Sequence, residues 1–167
     1  MKKNYSRIIG IDPDVEKSGV ALVDKSQAVP ARWVRVFSFP DLVEWLRSVP
    51  DDGETVVVVE DSWTHGGQWH LPPRISSHAA AKIGENVGRC HQVGRHIVEM
   101  CNFLGVPCEQ VRPLVKMWAG KDRKITHAEI VEITGISEKR TNQEERDALL
   151  LAWAFSGLPI RLSVKRS

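Results

Sequence analysis

The run Thr55-Val56-Val57-Val58-Val59-Glu60 constrains the fold more than any other stretch of this chain. Consecutive valines put apolar side chains on both faces of a strand, so this strand belongs at the centre of a sheet covered on both sides. Three earlier runs, Arg7 to Asp12, Gly19 to Asp24 and Arg32 to Phe37, are short, rich in valine or isoleucine and separated by turn residues. They read as an antiparallel three-strand meander. Pro40 suits the first turn of a helix, and Leu42, Val43, Leu46 and Val49 recur at helical spacing until Pro50.

After Glu60 comes a stretch rich in Gly, Pro, His and Trp, from Asp61 to Ile75, too long for a simple connector. Ser76 or Ser77 caps a long helix whose apolar positions run from Ala80 through Ile83, Val87, Val93, Ile97 and Cys101 to Leu104, with Gly105 as its stop. Cys108 to Val111 reads as a fifth strand. Thr126 with Glu129, and Asn142 with Glu145, have the spacing of capping boxes for two more helices, the last running to about Gly157. No repeat or low-complexity segment interrupts this order. The sum is an α/β fold: a five-stranded mixed sheet with helices on both faces, in one domain over residues 1–167, with residues 158–167 as a basic, poorly ordered tail.

Acidic residues avoid the ends of buried strands, because a desolvated carboxylate costs several kcal/mol unless something pairs with it. Here Asp12 closes one strand and Glu60 another. Each has a plain alternative, Asp12 as a turn former before Pro13 and Glu60 as the point where a strand leaves the core. The last helix opens Asn142-Gln143-Glu144-Glu145-Arg146-Asp147 and then turns apolar. Glu144 and Asp147 are three apart and share a helix face. The helix dipole accounts for acids in the first turn, but Asp147 adjoins the apolar segment and wants a partner. A divalent cation would serve, since two-metal phosphodiester chemistry uses hard cations held by several carboxylates.

Other chemistries find little support. Neither the Rossmann nor the P-loop glycine pattern occurs, and the six histidines include no HExxH arrangement. Cys90, Cys101 and Cys108 form no CxxC pair, which argues for buried or half-buried thiols over a disulfide framework or zinc site. No run has the length of a membrane span, and the basic segment Met1 to Arg7 lacks the apolar core of a signal peptide, so a cytoplasmic location is expected. A net charge of +2 says little about nucleic acid; the cluster Arg112, Lys116, Lys121, Arg123 and Lys124, and the tail residues Arg161, Lys165 and Arg166, say more.

Several of these segments, in this order, resemble the RuvC-type Holliday-junction resolvases of the ribonuclease H-like nuclease superfamily. Ile8-Ile9-Gly10-Ile11-Asp12-Pro13 with Ser18-Gly19-Val20-Ala21 resembles the family's first hairpin, and Val58-Val59-Glu60 its fourth strand. Ala81-Lys82-Ile83-Gly84-Glu85-Asn86-Val87-Gly88 is similar to the start of its long helix. Val111-Arg112-Pro113 through Gly120-Lys121-Asp122-Arg123-Lys124 is similar to its basic stretch, and Glu144 to Ala152 to its last helix. The likeness spans residues 7 to 157.

The resemblance implies a ribonuclease H-like fold and a crossover junction endodeoxyribonuclease, in which Asp12, Glu60, Glu144 and Asp147 ligate two Mg²⁺ ions, with Mn²⁺ as a substitute, and activated water attacks the phosphodiester. It implies a homodimer on four-way DNA junctions, with no membrane partner and no small-molecule cofactor. Trp63, three residues after the strand-four glutamate, takes the place of an aromatic that wedges into the junction. Lys82, Arg112, Lys116, Lys121 and Lys124 are the DNA-contacting candidates, without a choice among the lysines for the scissile strand. The alternatives are a related nuclease acting on other branched DNA or structured RNA, and a non-catalytic junction-binding protein. Asp14 stands where many relatives have glycine, which suggests a left-handed turn. Glu144 is longer than the aspartate or histidine usual at its place, and the loop of Trp63, His65, Gly66, Gly67, Trp69 and His70 is longer than in typical members.

Overall fold

The computed structural model describes residues 4–64 and 73–163. Strands β1 (Arg7–Asp12), β2 (Ser18–Asp24), β3 (Ala31–Phe37), β4 (Thr55–Glu60) and β5 (Cys108–Val111) form one sheet in the order β3-β2-β1-β4-β5. The first three are antiparallel, and β4 runs parallel to both β1 and β5. This is the five-stranded mixed sheet with a leading meander that the sequence pattern predicts.

Helices α1 (Phe39–Leu46), α2 (Ser77–Leu104), α3 (His127–Thr134) and α4 (Gln143–Phe155) cover it. Strand alternation sorts the core into two layers. Ile8, Val56 and Val58 face α4, where Leu149, Leu150 and Ala152 meet them together with Ile130 and Ile133 of α3. Ile9, Ile11, Val57 and Val59 face the other way, against Leu42 and Leu46 of α1 and Ile97 and Cys101 of α2. The valines of β4 are fully buried on both faces, as a central strand demands.

Both expected capping boxes are present, on Thr126 and Asn142, and α2 starts at Ser76 and ends at Gly105 with φ +71°. Helix α1 stops at Leu46, short of Pro50, although Val49 still packs on the core. Three residues between 158 and 163 are tied to the fold. Trp153 Nε1 donates to the Pro159 carbonyl at 2.9 Å, Leu158 packs on the core, and Ser163 bonds to Glu132. Tail residues Lys165 and Arg166 lie outside the described residues, as do His65, Gly66, Gly67, Trp69 and His70. The cysteines are free, Cys101 buried and the other two half-buried. Among the described residues no helix is long and apolar enough to cross a membrane.

Candidate active site

Asp12 and Glu60 end neighbouring parallel strands, one position beyond the Ile11–Val59 pair. Side chains alternate along a strand, so both share the face of Ile8, Val56 and Val58, the face on which α4 lies. What brings α4 close enough is a pair of glycines. A Cβ on Gly10 would collide with the Ala148 carbonyl, and one on Gly19 with the Glu144 carbonyl group. Gly19 is also the β2 partner of Asp12. The bare backbone at these two positions seats the first turns of α4 directly over the Asp12 end of the hairpin.

The result is a cluster of carboxylates that act on one another. Asp12 is pushed well above the ordinary carboxylate range, first by burial and then by the charges of Glu60, Asp147 and Glu144, with Lys124 opposing. Glu60 is raised to about 7 by burial and by Asp147, against Lys116 and Lys124. Burial also raises Asp147; a hydrogen bond from Gln143 and the charges of Lys124, Lys116 and Arg146 pull it back. The other three acids read from sequence therefore lie near enough for their charges to act on Asp12. Their donor chemistry suits a hard cation, being all oxygen and short of compensating positive charge. They are not gathered into a closed ligand set: among the described residues, no three His, Cys, Asp or Glu side chains form a group that could hold a metal ion as they stand.

The basic candidates separate. The charges of Lys116 and Lys124 reach Glu60 and Asp147 and pull both down. Lys121 is exposed and lines a groove of about 430 Å³ together with Lys124, His127, Gln143 and Arg146, next to the acid cluster. Arg112 is exposed. Lys82 is exposed on α2 and paired with Glu85 at 3.0 Å, in a ladder that Arg89 extends. The connection that carries the lysines is pinned by Leu114 and Trp118, which pack on the core, and by a 3.1 Å bond from the Trp118 N–H to the Arg123 carbonyl. Asp122 and Arg123 both take left-handed backbone conformations there (φ 54° and 59°), a local strain adjoining the site.

Trp63 is half-buried, and its ring lies so close to Gly94 of α2 that a Cβ there would collide with it. One expectation is corrected. Asp14 is not left-handed. Its Oδ1 accepts from the Glu16 N–H at 2.9 Å, and its own N–H donates to Ser18 Oγ at 3.2 Å, which closes the β1–β2 turn without a positive φ. Sequence reading missed Asp61, a buried residue whose Oδ1 accepts from the Trp63 and Thr64 N–H groups and shapes the chain as it leaves Glu60. It missed Gln143 and Arg146 as well. Neither has a composition signal; only the fold of the α4 start reveals them.

No protein-family model matches the chain. No curated protein matches it either. Among solved structures it is similar to the Thermus thermophilus RuvC structure, at 18% identity over 93% of this chain and 99% of that one, with a TM-score of 0.49. It is similar also to T. thermophilus RuvC in complex with Holliday junction substrate, at 19% identity over 92% and 97% of the two chains, TM-score 0.49.

Proposed function

We propose that this chain is a divalent-cation-dependent endonuclease of ribonuclease H-like type that nicks four-way DNA junctions. The observation that carries the nuclease reading is the convergence of Asp12, Glu60, Glu144 and Asp147 within reach of the charges of Lys116 and Lys124, with Asp12, Glu60 and Asp147 raised by burial and the first two also by neighbouring acid charges. Such a set is costly to fold and gains from a cation. A bound Mg²⁺ supplies charge neutralisation and Lewis-acid polarisation of water and phosphate. The carboxylates would hold it from the ends of β1 and β4 and the first turns of α4. Lys116 and Lys124 supply the positive charge that keeps a phosphate next to these acids.

The junction as substrate is supported by the ordered sequence resemblance to the RuvC-type resolvases. A junction is two-fold symmetric and each chain carries one carboxylate set, so paired nicks call for a homodimer. The test offers labelled mobile four-way junctions, flaps, linear duplex and RNA–DNA hybrid to the protein with Mg²⁺. Junction nicking in preference to the others supports the reading. Preferred cleavage of flaps or hybrids keeps the nuclease and replaces the substrate, and tight junction binding with no cleavage favours a binding protein.

A further inference from the structure

Asp147 does not stand alone on α4. The Gln143 Nε2 donates to Asp147 Oδ1 at 2.8 Å, while the Gln143 Oε1 accepts from Arg146 Nη2 at 2.9 Å. Arg146 is fixed from behind: its Nε donates to the Ile125 carbonyl at 2.9 Å, and its Nη1 to the Thr141 carbonyl. The three residues share one helix face, at positions i, i+3 and i+4. A guanidinium can only donate and an ionised carboxylate can only accept. A primary amide is the group that meets both demands at once, its oxygen toward Arg146 and its nitrogen toward Asp147, and these two partners fix its orientation. A Gln–Asp pair four apart is a common surface contact on helices; here the acid is raised by burial, belongs to the carboxylate cluster, and the amide is itself anchored to a side chain tied to two other segments.

We propose that Gln143 is the positioning residue of this site, holding Asp147 by one oxygen so that the other is presented to a cation. The inference rests on the cation-site reading of the acids. Partners of this kind, one step removed from the ion, set ligand orientation, and their loss weakens metal binding by about 10–100-fold.

Mn²⁺ binding is measured by titration calorimetry on the wild type, Asp147→Asn, Gln143→Ala and Gln143→Met, alongside the melting temperature of each without metal. Methionine keeps the length of glutamine without its hydrogen bonds. The expected result is Mn²⁺ affinity at least tenfold weaker in both Gln143 variants, with metal-free melting temperatures close to the wild type. Wild-type affinity in either variant, Gln143→Met above all, overturns the positioning role while leaving the cation site standing. Absence of Mn²⁺ binding by the wild type, or binding untouched by Asp147→Asn, overturns the cation-site reading and this inference with it.

Discussion

Glu60 illustrates at the residue scale how a site is stored as instability. Its carboxyl is raised to about 7 in the fold, against 4.5 ordinarily. Between those values the folded protein keeps a proton that the unfolded chain has released. Stability of the metal-free protein therefore falls as pH rises across that window and levels off above it. Glu60→Gln removes the charge that burial and Asp147 penalise, so the variant is expected to be more stable than wild type at pH 8 without metal, and equal or weaker at pH 4. Urea midpoints at the two pH values read this directly; a wild type already the more stable at pH 8 contradicts the electrostatic account. Trp63 is the opposite case. Its ring fills the space over Gly94, so Trp63→Ala is expected to lower the melting temperature, at a cost below the ~3–5 kcal/mol of a fully buried aromatic. A substrate-facing tryptophan would leave thermal stability unchanged.

Among the elements, the β1–β2 hairpin and α4 matter most. Their contact is backbone against backbone, possible because Gly10 and Gly19 lack side chains under Ala148 and Glu144. Gly19→Ala is expected to displace the start of α4, costing about 1–3 kcal/mol of stability as other overpacked sites do, and to cut cleavage by more than its stability loss explains. A calorimetric melt and a cleavage rate on the same preparation separate the two effects. The strands, the capped helix starts and the acids at β1, β4 and α4 were legible because each has a local signature: valine runs, capping boxes, a carboxylate where apolar residues should be. The meeting of Glu144 and Asp147 with Asp12 needed the glycines to be read as a docking surface. Which lysines join the acids depended on the β5–α3 connection, whose left-handed Asp122 and Arg123 carry no glycine to announce the turn. The packing of Trp63 and the turn at Asp14 were not legible for a related reason, since one packs on a distant helix and the other turns through a side-chain hydrogen bond.

On the scale of the whole molecule, the modest net charge of +2 conceals a polar division: acids at the strand ends, and lysines of the β5–α3 connection whose charges reach them. A polyanion approaching this edge meets Lys116, Lys121 and Lys124 next to the carboxylates that would cut it. Junction binding is expected to weaken steeply with salt, and Lys116→Ala to reduce the slope of log K against log salt by about 1, without changing the preference for one sequence over another. The measurement closest to the central claim is Mg²⁺-dependent nicking of a mobile four-way junction, both strands labelled, by wild type and by Asp12→Asn, Glu60→Gln and Asp147→Asn. Paired nicks by the wild type are expected, with variants that bind the junction but do not cut it. Full cleavage by any of the three would contradict the assignment of these acids.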